Sequence, residues 1–303
     1  MDKRQKNELT RIAERGVQFD CPMSRHTTFR VGGKADALYE AENTEALRRV
    51  IAYLNKEGIP YLTVGRGSNL LVKDEGLEGV VICLCGALNS IEREKSDALA
   101  VRAGAGLPLF DLLVYCRDSG LGGMEFLAGI PGTVGGAVAM NAGAFGSEVG
   151  ESVRKIQFIT RTGEVTMRER SQLNFAYRGL DLEQGAVIVR SFFALEQVDE
   201  STAKARIADY LRRRKESQPL EYPSAGSIFK TSPGDYAGRL IELAGLKGAT
   251  TGGAMISTKH ANYIVNTGGA TARDVLELIN LARTMVKERT GIEMQPEVKV
   301  VGR

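Results

Sequence analysis

The chain has 303 residues, of which 43% are hydrophobic and 25% are charged, a composition typical of a folded protein with two or three domains. Its 40 Lys and Arg residues against 37 Asp and Glu residues leave a formal charge of +3, too small an excess to predict binding to nucleic acid or to an anionic membrane. No segment approaches the roughly 20 apolar residues that span a bilayer, and the charged N-terminus lacks the apolar core of a signal peptide.

In chain order, the first predicted elements are a helix over residues 1–16, an extended segment over 26–40, a second helix over 44–57, and strands over 61–64 and 79–84. Asn43 is of the residue type that caps helix N-termini, and Gly58 is of the type that ends helices. Between them, apolar residues recur at helical spacing and predict one buried face, made of Ala46, Leu47, Val50, Ile51 and Leu54.

Strands dominate the middle of the chain, where the predicted elements are a strand over 99–103, a helix over 108–117 and strands over 153–160, 164–169 and 186–195. So few helices favour an α+β arrangement over repeated βαβ units. Toward the C-terminus, the pattern predicts helices over 201–215 and 236–244, a longer helix and a final strand over 296–301. Thr271 followed by Asp274 predicts a capping box at the start of the longer helix.

The chain contains four cysteines without a paired spacing, namely Cys21, Cys83, Cys85 and Cys116. This usage predicts reduced thiols in a cytoplasmic protein. The two histidines, His26 and His260, stand far apart, and there is no H-E-x-x-H motif. Because zinc sites need clustered ligands, we predict no metal site and interpret both histidines as structural.

The first candidate binding loop is Gly65-Arg66-Gly67-Ser68-Asn69-Leu70-Leu71, directly after a predicted strand. Glycine lets backbone N–H groups approach a phosphate, and Ser68 and Asn69 add polar side chains. Leu70 stands where a third glycine would complete G-x-G-x-x-G, and no ribose-binding acid follows, so a Rossmann site is disfavoured. Taken alone, the heptad fits a structural turn equally well.

The second candidate loop, residues 129–146, contains six glycines among 18 residues that are otherwise mostly small and apolar. Each glycine inside a helix or strand costs roughly 0.5–1 kcal/mol relative to alanine, so such a run indicates backbone that closely approaches other backbone or a ligand. A tight packing loop is one interpretation. We favour ligand contact, because apolar residues flank the glycines as they do around a flat aromatic cofactor.

The two loops together resemble those of PCMH-type FAD-binding flavoproteins, in which they bind the FAD diphosphate and the flavin. The segment His-Thr-Thr-Phe-Arg-Val-Gly-Gly-Lys-Ala at 26–35 resembles the opening strand of that class. Within it, the chain is similar to the UDP-N-acetylenolpyruvoylglucosamine reductase family from about residue 22 to the last strand. The match rests on both loops together with Leu-Asn-Phe-Ala-Tyr-Arg ending at 178, Pro-Ser-Ala-Gly-Ser-Ile-Phe-Lys at 223–230 and Pro-Glu-Val-Lys at 296–299.

The resemblance implies an α+β fold with a two-part PCMH-type FAD-binding domain and a smaller C-terminal α+β substrate-binding domain. We assign 1–21 to an N-terminal helix, 22–85 and 86–198 to the FAD-binding subdomains, and 199–303 to the substrate domain, and leave open a return of its last strand toward the FAD domain. FAD is expected to bind noncovalently. The implied cofactor-binding residues are Gly65, Arg66, Gly67, Ser68, Asn69, Leu70, Gly129, Ile130, Pro131, Gly132, Thr133, Gly135, Gly136, Ala137 and Asn141.

The residues matching the family's active site are Arg178, Ser227 and Glu297. The implied substrate is an enol ether of UDP-N-acetylglucosamine, whose double bond is conjugated with a carboxylate. Hydride addition leaves an enolate that Arg178 would stabilise, and Ser227 would then donate a proton to carbon. Glu297 would position the carboxylate or share in proton transfer, which requires a raised pKa in a dry site.

Three further residues are implied in substrate binding, namely Tyr177, Lys215 and Lys230. Lys230 would stabilise the serine alkoxide if the segment after Ser227 made a helical turn. Lys215 ends a basic run that starts at 212 and either contacts the UDP diphosphate or forms a solvated helix end.

Two positions depart from the family pattern. Leu180 replaces a serine often found two places after the arginine, and Gln295 replaces a glutamate that often begins the last strand. Glu297 is therefore the carboxylate candidate in that strand. Only 48 residues separate Arg178 from Ser227, as expected of a compact form without an extra substrate-covering loop.

The leading hypothesis is a cytoplasmic, NADPH-dependent flavoenzyme that makes UDP-N-acetylmuramate for peptidoglycan, acting as a monomer or weak homo-oligomer without nucleic-acid or membrane partners. No nicotinamide motif decides between NADPH and NADH. Two alternatives stay open: another PCMH-type flavin oxidase, and a noncatalytic module that binds flavin or a nucleotide sugar.

Overall fold

The computed structural model describes residues 1–231 and 235–303. Its α-helices are α1 (Lys3–Ala13), α2 (Thr44–Lys56), α3 (Leu109–Asp118), α4 (Val134–Ala139), α5 (Val149–Ser152), α6 (Glu200–Ser217), α7 (Ala237–Leu243) and α8 (Ala272–Thr290). Its longer strands include β1 (Val17–Pro22), β2 (Lys34–Ala41), β3 (Tyr61–Thr63), β4 (Leu70–Val72), β5 (Leu77–Leu84), β6 (Ile91–Arg93) and β7 (Ala100–Gly104). The chain continues with β8 (Leu121–Gly122), β9 (Gly143–Ala144), β10 (Ser147–Glu148), β11 (Val153–Ile159), β12 (Val165–Glu169), β13 (Phe175–Ala176), β14 (Gly179–Leu180) and β15 (Val187–Ala194). The last strands are β16 (Glu196–Gln197), β17 (Thr250–Thr251), β18 (Ala254–Ile256), β19 (Ile264–Asn266) and β20 (Lys299–Val301).

The predicted helix caps are confirmed. The Asn43 side chain accepts a hydrogen bond from the backbone N–H of Ala46 at 2.8 Å, and the apolar face of α2 is buried. Thr271 and Asp274 form a capping box at the start of α8, which ends at Gly291 in the left-handed conformation. Local hydrogen bonds and side-chain periodicity fix these boundaries, so the sequence alone could reveal them.

The chain forms two compact units that are each discontinuous in sequence. The first comprises residues 1–19, 36–66 and 79–212, and the second comprises 20–35, 67–78 and 213–303. The boundaries assigned from the sequence were contiguous, whereas segments 20–35 and 67–78 belong with the C-terminal part. Strand pairing explains why segment 67–78 belongs there, because its strand β4 is a parallel neighbour of β20, with Leu70 opposite Lys299.

In the first unit, the central antiparallel sheet has the strand order β12-β11-β15-β7-β6. A second sheet has the order β1-β2-β5-β3, and its strands β5 and β3 are parallel. One apolar core, which includes Leu9 and Leu47, packs α1 and α2 against this second sheet. A larger core, which includes Phe158 and Phe193, lies on the central sheet.

The second unit combines the antiparallel sheet β17-β18-β19 with α7, α8 and the β4–β20 pair. Its core joins Phe29 and Leu71 to Phe229, Leu278 and other buried residues of the C-terminal part. Asp74 accepts hydrogen bonds at 2.9 Å from the backbone N–H groups of Ala272 and Arg273, at the start of α8. An early segment of the chain therefore caps the longest helix, where a carboxylate complements the helix dipole.

Some predicted strands are shorter than expected. The extended segment expected over 26–40 becomes regular strand only from Lys34, because residues 23–25 form a short 3₁₀ turn and Arg30 has a φ of +57°. The last strand begins at Lys299 rather than Pro296, which instead forms an isolated antiparallel bridge with Phe229. Within residues 1–231 and 235–303, no helix is both long and apolar enough to cross a bilayer.

Candidate active site

A cavity of about 290 Å³ lies in the first unit, and residues from both glycine loops line it. Gly65 comes from the first loop, and Thr133, Gly135 and Gly136 come from the second. The remaining wall is mostly backbone and small or apolar side chains from β3, β5 and β15. Its size and apolar lining suit part of a flat cofactor.

The two loops touch each other at Gly65. A Cβ atom there would lie 2.5 Å from Oγ1 of Thr133, so only glycine allows this approach. Thr133 is buried and caps α4 by accepting a hydrogen bond from the N–H of Gly136. At Gly135, a Cβ would lie 2.7 Å from the Cβ of Ala105. These two glycines are thus required by contacts within the protein.

Gly136 differs from these neighbours. A Cβ built there has the Thr133 hydroxyl as its nearest neighbour outside the helix backbone, at 3.5 Å, which is an ordinary contact. Because packing does not require glycine at this position, its bare backbone suits a close approach by a bound group.

The first loop is divided between the units. Gly65 and the exposed Arg66 belong to the first unit, and Gly67 begins the part in the second. Gly67 has a φ of +62°, and any Cβ there would overlap the carbonyl oxygen of His26, so local packing accounts for this glycine. Asn69 donates its side-chain amide to the carbonyl oxygen of Glu297 at 3.2 Å.

The remaining predicted cofactor residues vary in exposure. Gly129 and Pro131 are exposed, Ser68, Ile130 and Gly132 are half-buried, and Leu70 and Ala137 are buried in β4 and α4.

Arg178 lies in the first unit at the tip of a two-residue turn that joins β13 to β14. Its φ is +59°, a left-handed conformation that non-glycine residues rarely adopt and that concentrates at functional sites. Its guanidinium lies over the ring of Tyr177, 4.9 Å from the centroid, and that tyrosine is 47% exposed. A Cβ at Gly143 would lie 3.1 Å from its Nη1 atom, so this glycine leaves room for the guanidinium.

In the second unit, the structure brings together two candidates that are distant in the sequence. The backbone N–H of Glu297 donates to the carbonyl oxygen of Ile228, which follows Ser227, at 2.7 Å. Asn262 fixes the same segment, since its side chain accepts from the N–H of Phe229 at 2.9 Å and donates to the carbonyl of Phe229 at 2.8 Å. Ser227 and Glu297 are both half-buried.

The condition set for Lys230, a helical turn after Ser227, is not met. Residues 224–230 contain no helical turn, and Phe229 forms a bridge with Pro296 instead. The backbone N–H of Lys230 donates to the carbonyl oxygen of Gln295 at 2.9 Å. The helical argument that would place Lys230 beside Ser227 therefore does not apply.

Tyr263 is a residue of this site that sequence reasoning missed. Its side chain is only 8% exposed, and Ser227 is among the groups that affect its pKa. Burial raises the pKa of Tyr263 above its ordinary value of 10.0, Arg214 opposes the rise, and Glu297 adds to it. The segment Lys259–Tyr263 resembles a family segment near the centre of the substrate domain, but nothing local in the sequence reveals the groups that surround this tyrosine.

Neighbouring residues of the basic run in α6 differ in burial. Arg214 is only 8% exposed, and this desolvation lowers its pKa, whereas Lys215 is exposed. The carbonyl oxygen of Lys215 accepts a hydrogen bond from the ammonium of Lys259 at 2.5 Å.

His260 packs its ring edge-on against Tyr263, with centroids 5.0 Å apart, and its Nδ1 accepts a hydrogen bond from the N–H of Asn262. Burial lowers the pKa of His260. Among the described residues, no group of three or more His, Cys, Asp or Glu side chains could hold a metal ion.

Comparison with known proteins identifies the family. Residues 35–167 match the model of an FAD binding domain, and residues 218–301 match that of the C-terminal domain of UDP-N-acetylenolpyruvoylglucosamine reductase. A reductase of that name from Caldanaerobacter subterraneus subsp. tengcongensis is 43% identical over 98% of this chain and 97% of its own length. The chain belongs to the UDP-N-acetylenolpyruvoylglucosamine reductase family.

Other relatives support the same assignment. The reductase of Geobacter metallireducens is 46% identical over 93% of each chain. The crystal structure of the reductase from Thermus caldophilus superposes with a TM-score of 0.81 at 37% identity, covering 94% of this chain and 98% of that one. Berberine bridge enzyme, at 18% identity and a TM-score of 0.51 over 66% of this chain and 44% of its own, shares the fold alone. The predicted fold class is confirmed.

Proposed function

We propose that the chain catalyses the NADPH-dependent, FAD-mediated reduction of the enolpyruvyl double bond of UDP-N-acetylglucosamine enolpyruvate to give UDP-N-acetylmuramate, a precursor of peptidoglycan. It does so in the cytoplasm as a monomer or weak homo-oligomer. Family membership over nearly the whole chain supports the reaction. The observation that carries the assignment of the site is the backbone contact that holds Glu297 beside the segment of Ser227.

The residues present fit FAD. Gly65, Thr133 and Gly136 line a cavity of about 290 Å³. Packing within the protein does not require glycine at position 136. These residues and others of both loops would hold the cofactor noncovalently. When bound, FAD supplies the hydride that NADPH provides.

Arg178 stabilises the negative charge that develops on the substrate carboxylate when hydride adds to the neighbouring double bond. Its planar guanidinium offers several fixed donors, and a guanidinium held by a constrained turn loses little freedom in doing so. The left-handed φ of +59° supports this role, since such strain persists where function requires it.

Ser227 donates the proton that completes the reduction at carbon, and Glu297 orients the substrate carboxylate. Serine is a weak acid, so its hydroxyl needs a partner that stabilises the oxygen as the proton leaves. Both residues lie in segments whose backbone is fixed by hydrogen bonds, which limits their movement and favours a reactive geometry.

The test uses the FAD-loaded protein without oxygen. We expect NADPH to bleach the flavin absorbance and the enolpyruvyl substrate to restore it, with UDP-N-acetylmuramate identified by mass. Rapid recovery with oxygen and no response to the enol ether would indicate an oxidase instead. Flavin that binds but is not bleached by NADPH would indicate a noncatalytic module, and either result would contradict the proposal.

A further inference from the structure

We infer that Asn69 is a positioning residue for Glu297 and ties the first glycine loop to the segment that orients the substrate carboxylate. The inference rests on the proposed function and deepens it. The sequence predicts cofactor binding for Asn69, whereas the structure shows its side-chain amide donating to the carbonyl oxygen of Glu297 at 3.2 Å. Both residues belong to the second unit.

Asn69 holds the segment of Glu297 through two hydrogen bonds. Besides the bond from its side chain, its own carbonyl oxygen accepts from the backbone N–H of Lys299 at 3.0 Å. Regular pairing of β4 with β20 begins only at Leu70 and Lys299. The side-chain bond therefore extends the contact between these two segments back to Glu297, ahead of the regular strand.

Other contacts fix the remaining backbone groups of the same segment. The N–H groups of Glu297 and Val298 both donate to the carbonyl oxygen of Ile228, at 2.7 and 3.3 Å. The side chain of Val298 is 4% exposed and belongs to the core of the second unit. Glu297 is thus held at its N–H by the residue after Ser227 and at its carbonyl by Asn69. Removing the Asn69 amide would leave the first contact and abolish the second.

The proposed role of Glu297 makes its position critical. Two ionised carboxylates repel each other, so Glu297 holds the substrate carboxylate by sharing a proton with it. Such a hydrogen bond requires the two oxygens to lie about 2.5–2.7 Å apart. A misplacement of about 1 Å can slow an enzymatic reaction by about 100-fold. A residue that holds only the backbone of Glu297 can therefore control the rate.

A double-mutant cycle in the FAD-loaded protein tests this connection. In the wild-type background, Asn69→Ala should leave the flavin reducible by NADPH and should slow its reoxidation by saturating enolpyruvyl substrate by at least about fivefold. In the Glu297→Ala background no carboxylate remains to be positioned, so the same change should slow reoxidation by at most about twofold. Since typical turnover rates are about 1–10³ s⁻¹, an anaerobic reaction followed for hours stays measurable after a loss of about 10⁴-fold.

Two further variants complete the experiment. Asn69→Asp keeps the size and shape of the side chain but replaces the donor with an acceptor facing the Glu297 carbonyl oxygen, so it should slow reoxidation more than Asn69→Ala does. It also provides the cycle with a second variant if alanine at 69 impairs folding. Asn280→Asp, on the exposed face of α8 in the same unit, is the control and should change neither half-reaction.

The result of the cycle decides between positioning and other roles. Equal slowing by Asn69→Ala in both backgrounds would overturn the inference, because Asn69 would then act independently of Glu297. Wild-type reoxidation in both Asn69 variants would also overturn it, as would a loss confined to FAD binding or to reduction by NADPH. Failure of the wild-type protein to respond to the enol ether would instead overturn the proposed function, and the inference with it.

Discussion

The side-chain amide of Asn141 donates a hydrogen bond to the carbonyl oxygen of Ala176 at 3.1 Å, which ties the second glycine loop to the turn that carries Arg178. The same amide donates to Oε2 of Glu148 at 2.7 Å, and its oxygen accepts from the N–H of Gly150 at 2.9 Å. Both amide protons are thus used within the protein. Asn141 was predicted to bind the cofactor, but these contacts support a role in positioning the loop.

Asn141→Asp tests this connection. The aspartate tolerates the left-handed φ of +42° but lacks both donors and adds a charge beside Glu148. We expect the free energy of unfolding to fall by roughly 2–4 kcal/mol, because the side chain at 141 is buried, loses both donated hydrogen bonds and gains a charge beside Glu148. Denaturant titration measures it. Asn7→Asp, on the exposed face of α1, should stay within about 0.5 kcal/mol of wild type, and equal effects of the two changes would refute the positioning role.

Alanine substitutions at two adjacent glycines of α4 test the effects of packing and of cofactor contact separately. Gly136→Ala should raise the stability of the flavin-free protein by up to about 1 kcal/mol, because alanine favours helix and meets nothing closer than 3.5 Å. Its affinity for FAD should nevertheless fall at least about tenfold.

Gly135→Ala should instead lower the free energy of unfolding by about 1–3 kcal/mol, because the added Cβ would lie 2.7 Å from the Cβ of Ala105. Thermal unfolding without flavin and fluorescence titration with FAD measure both quantities. Wild-type FAD affinity in Gly136→Ala would remove that position from the cofactor site.

Two replacements of Arg178 distinguish the contribution of its guanidinium from that of its backbone strain. Arg178→Lys and Arg178→Gly both remove the guanidinium, and both should slow flavin reoxidation by the enol ether by more than about tenfold. Glycine tolerates the φ of +59°, so Arg178→Gly should be more stable than Arg178→Lys by about 1 kcal/mol. If the lysine variant is equally stable, the turn carries no strain.

His260 should make stability depend on pH. Burial lowers its pKa below the ordinary 6.5, so the unfolded chain binds more protons than the folded one just below that value. Its contribution to stability is therefore lost as the pH falls through about 6.5. His260→Gln should weaken the dependence of stability on pH that urea unfolding shows between about pH 7.5 and about pH 5.5. The same dependence of the free energy of unfolding on pH in His260→Gln as in the wild type would contradict this prediction.

The sequence predicted features that arise from local interactions. Asn43 and Thr271 cap the helices expected of them, and the glycines at 65 and 136 line one cavity. The resemblance also placed Ser227 and Glu297 in segments that the structure joins.

What the sequence could not reveal depends on contacts between distant segments. Gly67 is glycine because the His26 carbonyl lies against it, and Asp74 caps a helix that begins near residue 272. Such contacts leave no local pattern. The same is true of Tyr263, which is buried near Arg214 and Glu297 from distant segments of the chain.

The assignment of Ser227 as the acid is tested most directly by a single turnover of Ser227→Ala loaded with FAD. The change removes one oxygen atom from a half-buried side chain, so the fold and the flavin should be retained. We expect NADPH to bleach the flavin at the wild-type rate in a stopped-flow instrument and the enolpyruvyl substrate to leave it bleached. Recovery of absorbance at the wild-type rate would contradict the assignment.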